Sequence, residues 1–177
     1  MTFDLSMPSS TRLNLKETTM IRAIAIALLA ALSFGALAAD PQPIVTYSQK
    51  AKFETVRDDL KSAIEGKGLV IDYQSFIGKM LERTGKDVGS TKKLYADAQS
   101  FVFCSASLSR KTMEADLANV SMCPYTMTVY ATAQEPDKVH VSYRRPWRPN
   151  GTPASKSALR EVEVLLDAIA REALGMR

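Results

Sequence analysis

Apolar residues recur along this chain with two periods, and the switches between them mark its elements. Phe53, Val56, Leu60, Ala63 and Ile64 fall three and four apart and are followed by Gly66 and Gly68, which predicts an amphipathic helix with glycine stop signals. A second, short helix is expected in "QSFIGKMLERTG", where Phe76, Ile77, Met80 and Leu81 share one side before Gly85. "LSRKTMEADLANV" carries Leu108, Met113 and Leu117 on a short, irregular helix. The last helix is the best signalled. Thr152 is its N-cap, Pro153 its first helical position, Val162, Leu165, Leu166, Ile169 and Leu174 its apolar stripe, and Gly175 lies just past its end.

Elsewhere the period is two. "YTMTVYAT" puts Tyr125, Met127, Val129 and Ala131 on one face and Thr126, Thr128, Tyr130 and Thr132 on the other. "VHVSY" turns Val139, Val141 and Tyr143 inward, and Pro136 and Asp137 between the two runs supply a turn, so they form a hairpin. "IVTYS", "LVIDY" and "LYADAQSFVFCS" are the other strand candidates, "KDVGSTKK" reads as a loop, and "RRPWRPNG" breaks regular structure. One-sided burial argues for antiparallel pairing. The expected fold is α+β: a single domain with an antiparallel sheet of about four to five strands, helices packed on one face, and a C-terminal helix over 152–175.

One apolar stretch fits neither period. "MIRAIAIALLAALSFGALAAD", Met20 to Asp40, has Arg22 as a positive n-region, a run from Ala23 to Leu32 too short to span a bilayer, and a small-x-small site at Ala36-Leu37-Ala38. It reads as a secretory signal peptide cleaved after Ala38, with Met20 the translation start and residues 1–38 absent from the mature chain. Their loss removes three basic and two acidic groups, so the formal charge falls from +4 to +3. That surplus is too small for a nucleic-acid face. The remaining residues are enough for one domain, expected in the periplasm without stable membrane insertion.

In an oxidising compartment the two cysteines, Cys104 and Cys123, are candidates for pairing. Cys104 closes one strand and Cys123 opens another. If those strands run antiparallel, the two Cα atoms fall within the roughly 7 Å that a disulfide needs. Closing a loop of about 20 residues stabilises by about 3 kcal/mol in the chain-entropy model. Two other readings stay open. A redox-active pair is one, although no C-x-x-C occurs. A Cu(I) site is the other, formed by Cys104, Cys123 and Met122, with Met113 and Met127 nearby in sequence but on apolar faces where core packing explains them.

Nothing in the sequence argues for an enzyme or a resident cofactor. The sole histidine, His140, faces away from Val139 and Val141 and reads as a surface residue, and no Ser-His-Asp set, H-E-x-x-H or Gly-rich phosphate loop is present. Asp58, Asp59, Glu161 and Glu163 read as solvated helix charges. "SYRRPWRP" is the unusual run. Tyr143, Arg144, Arg145, Trp147 and Arg148 combine guanidinium groups with aromatics, a mixture suited to a small anionic ligand or a protein partner. The bland alternative has solvated arginines and Trp147 packed under the C-terminal helix.

"SFVFCSASLSRKTMEADLANVSMCPYTMTVYATAQEPDKVHVSYRRP", Ser100 to Pro146, resembles the family called domain of unknown function 302. In that family a strand ending in cysteine or its equivalent is followed by a short helix, a Cys-Pro or Pro-Cys element, a "VY" strand and a strand closing on proline. "FETVRDDLKSAIEGKGLVI" is similar to its first helix and second strand, so the resemblance covers 44–146. Cys104, Cys123, Pro124, Tyr130 and Pro146 match the pattern. The resemblance implies a compact α+β domain, often exported in bacteria and tending to form homodimers, and brings no catalytic residue. The C-terminal helix looks like an extension to that core. The expectation is therefore an exported binding or interaction module held by one disulfide. The alternative is a periplasmic redox or Cu(I)-handling protein.

Overall fold

A computed structural model describes residues 42–176. The expected signal peptide and upstream segment, residues 1–38, lie outside the described residues. Five strands, β1 (Ile44–Lys50), β2 (Ile71–Ser75), β3 (Tyr95–Phe103), β4 (Tyr125–Thr132) and β5 (Lys138–Arg144), form one sheet in the order β1-β5-β4-β3-β2. Every neighbouring pair is antiparallel. Helices α1 (Phe53–Gly66), α2 (Ile77–Thr84), α3 (Ala106–Ala115) and α4 (Pro153–Ala173) join them, with a 3₁₀ helix over Leu117–Met122. The class is α+β, as expected.

The alternation of β4 and β5 explains the core. Met127, Val129, Ala131, Val139 and Val141 are fully buried on one face, joined from β3 by Phe101 and Phe103. Against that face α1 sets Val56, Leu60 and Ile64, and α4 sets Val162, Leu166 and Ile169. The two helices also pack on each other. All five apolar positions of α1 read from the spacing are buried. At α4, Thr152 caps by accepting from Ser155 N at 3.1 Å, Pro153 opens the first turn, and Gly175 takes the left-handed φ of 61° that ends it. Leu165 is only partly buried, while Ala158, Leu159, Ala170 and Ala173 complete the stripe. No helix among the described residues is long and apolar enough to cross a membrane.

Three expectations are corrected. α2 forms, but none of its residues is buried, and Phe76 and Met80 stay exposed. It lies against β3 through Gly78, where a Cβ would stand 2.9 Å from Ala98 N. α3 buries Ser109 and Thr112 rather than an apolar stripe, and Leu117 is 82% exposed. His140 does face away from the core, yet it is half-buried: its ring stacks on Tyr130 at 4.6 Å, and its Nε2 is buried without a hydrogen-bond partner among the described residues.

Candidate functional site

Two features named from the sequence meet at one end of the sheet. β3 and β4 pair down to Phe103 and Tyr125, so Cys104 leaves the sheet level with the approach of Cys123. Their Cα atoms are 6.4 Å apart and the sulfurs are bonded. Between them Ser105 caps α3, its side chain accepting from Leu108 N, and Asp116 caps the 3₁₀ helix, its carboxylate accepting from Ala118 N at 2.9 Å. Ser109 Oγ lies 3.4 Å from both Cys123 Sγ and the Tyr125 hydroxyl. Burial pushes the Tyr125 phenol above its ordinary pKa. Met122 is half-buried beside Cys123. Among the described residues no group of three or more His, Cys, Asp or Glu is placed to hold a metal.

The segment after β5 runs along α4 as a strap. Tyr143 is 2% exposed, and its hydroxyl donates to Asp167 Oδ1 at 3.3 Å. Tyr47 from β1 donates to the same oxygen, while Arg171 donates Nε to Asp167 Oδ2 at 2.7 Å and Nη2 to the Tyr47 hydroxyl at 2.8 Å. Burial acts to raise the Asp167 pKa, but the donors from Tyr47, Arg171 and Tyr143 outweigh it and hold the carboxyl below its usual range. Burial, with Asp167 and Glu163 nearby, pushes the Tyr143 phenol upward.

The three arginines divide. Arg145 is bound on two sides, donating Nε to Gln42 O at 3.0 Å and forming an ion pair with Glu163 of α4. Arg148 donates Nη1 to Asp116 Oδ2 at 2.6 Å and to Asn119 Oδ1 at 2.9 Å. Arg144 is exposed and makes no ion pair among the described residues. Pro146 is buried, and Trp147 is half-buried with Lys156 Nζ 5.6 Å over its ring. The Trp147 Nε1 is buried and has no hydrogen-bond partner among the described residues.

Sequence reasoning missed the partners that fix this strap. Glu163, read as solvated charge, is the counter-ion of Arg145. Asn119 is fully buried, donating Nδ2 to Thr112 O at 2.8 Å and to Ser155 Oγ at 2.9 Å. No pattern marks Asn119 in advance. Asp167 and Arg171 do carry a signal, an opposite-charge pair four residues apart directly beside the apolar stripe.

Comparison with known proteins gives the fold a family. Among curated proteins none matches the chain. A solved structure described as uncharacterized conserved protein DUF302 from Bacillus stearothermophilus is similar, with a TM-score of 0.62 at 15% identity. The likeness covers 75% of this chain and 99% of that one. The family model for DUF302, a domain of unknown function, matches residues 44–173, so the match runs through α4 as well as the strands. The chain belongs to the DUF302 family.

Proposed function

We propose that this DUF302 domain works in the bacterial periplasm as a binding or interaction module, exported by the signal sequence around Met20 to Asp40. The observation that carries the reading is the Cys104–Cys123 bond, because disulfides persist in oxidising compartments. Bonded sulfurs have no thiolate to offer as nucleophile or Cu(I) ligand, so redox or copper work by Cys104, Cys123 and Met122 would require prior reduction.

The proposed ligand face is the end of β5 with the strap that follows it: Tyr143, Arg144, Arg145 and Trp147. Tyr143 and Arg145 already hold Asp167 and Glu163, so they orient the segment, and the guanidinium with no ion pair among the described residues is that of the exposed Arg144. Such a face attracts a small anion or an acidic segment of a protein partner. A homodimer is the other expected association. The outer strands β1 and β2 leave two sheet edges for it, with Val70 74% and Tyr73 64% exposed at the β2 side.

Wild-type and Arg144→Gln protein purified from the periplasm should differ in the small molecules they release on denaturation, the variant having lost an anion. Retention of the same molecule by both, or of none by either while both are folded, contradicts the anion reading. Sedimentation then reads the dimer directly.

A further inference from the structure

At the other end of the sheet from the strap, where Tyr95 pairs with Thr132, a cavity of about 340 Å³ opens between α2, the 85–94 loop and the start of β3. That volume is in the range of small-molecule sites. Two glycines permit it. A Cβ at Gly78 would press on Ala98 N at 2.9 Å, and one at Gly85 would stand 2.4 Å from Ser90 O, so any other residue would drive α2 off β3 or the loop off α2.

The loop is tied at both ends. Ser90 N donates to Gly85 O at 2.8 Å, Asp87 N to Thr84 O at 3.1 Å, and Ala133 N to Leu94 O at 3.0 Å. Gly89 takes the left-handed φ of 72° inside it. The walls are therefore built before any ligand arrives, which lowers the ordering cost of binding.

The lining has two chemistries. Leu81, Leu94 and Tyr95 supply apolar surface, and Leu94 is 47% exposed. Lys79, Lys86, Lys92 and Lys93 supply cations against the carboxylates of Glu82 and Asp97. Asp97 is already committed, accepting from Ala98 N at 2.7 Å and from Gln99 Nε2 at 3.2 Å. Lys79 lies over the Phe76 ring at 5.3 Å. Lys86, Lys92 and Lys93 make no ion pair among the described residues, whereas Lys61, Lys67, Lys111 and Lys138 each have one.

We propose that this cavity binds a small organic anion with an apolar body, a carboxylate or phosphate monoester. The apolar part sits against Leu81 and Leu94, and Lys86, Lys92 and Lys93 hold the charge. The site is independent of the arginine strap.

The test is an amide-resolved NMR titration of the full domain with benzoate, hexyl phosphate and inorganic phosphate. Benzoate or hexyl phosphate should shift the Gly78, Gly85, Leu94 and Ala96 amides saturably. Inorganic phosphate, with no apolar body, should not saturate them. Lys92→Gln with Lys93→Gln, both exposed, should leave the rest of the spectrum unchanged and weaken binding roughly tenfold or more. Shifts that never saturate, that spread over all surface lysines, that persist undiminished in the variant, or that inorganic phosphate reproduces at equal affinity overturn the proposal. The Arg144→Gln variant should titrate as wild type here, so failure at this cavity is distinguishable from failure at the strap.

Discussion

Arg145 and Glu163 join the segment after β5 to the middle of α4, with each side chain 24% exposed. Arg144, one residue earlier, has no such tie among the described residues. Adjacent arginines in one motif therefore have different work, and substitution separates them. Arg145→Gln should lower stability by roughly 1 kcal/mol, a figure kept small because the pair is reached by solvent. Arg144→Gln should leave the melting temperature unchanged. Thermal melts of the two variants decide this, and equal melts would mean that Glu163 is only a surface charge.

Asn119 is a more demanding test of the same region. Its amide is fully buried and bonds Thr112 O, Ser155 Oγ and Arg148 Nη1. Asn119→Ala strands the buried Ser155 hydroxyl and takes one bond each from Thr112 O and Arg148, which keep Asp116 as a partner, at a cost of about 1–3 kcal/mol. Denaturant unfolding should show a lower midpoint at an unchanged slope.

The C-terminal helix belongs to the core. Leu166 is 2% exposed among α1, α4 and the sheet, so Leu166→Ala should cost about 2–5 kcal/mol. If α4 served only an interface between copies, the same change would alter sedimentation and leave the melt untouched.

The Asp167 cluster predicts how stability varies with pH. Asp167 titrates below its usual range in the folded state, so its contribution is present above the unfolded pKa of about 4 and is lost as pH falls through the lower folded value. The Tyr47 and Tyr143 phenols are raised, so their contribution is present below about pH 10 and lost above it. Unfolding free energy should therefore fall below about pH 4 and above about pH 10. Asp167→Asn should flatten the acid side of the curve. An acid limb equally steep in the variant would assign it to other carboxylates.

The strength of each pattern decided what the sequence revealed. α1, β4 and β5 bury one face against apolar neighbours, so burial and spacing coincide, and every inward residue named for them is buried. α2 and α3 failed as stripes for opposite reasons. α2 meets β3 through a glycine backbone contact, which carries no hydrophobic signal. α3 faces a polar knot of Ser109, Thr112, Asn119 and Ser155, where burial depends on hydrogen bonds between residues far apart in sequence. The cysteine geometry was legible because strand direction alone fixes it. The partners of Arg145 and Arg148 were not, since any of several helix carboxylates fits the sequence equally well.

The central claim is an exported domain closed by the Cys104–Cys123 bond. Intact-mass spectrometry of protein expressed in a bacterial host and alkylated under denaturing, non-reducing conditions tests it most directly. The account predicts a chain beginning at Ala39, with no alkyl adduct and the mass of a single disulfide. A chain that keeps residues 20–38 and carries two alkyl groups would contradict both the export and the bond.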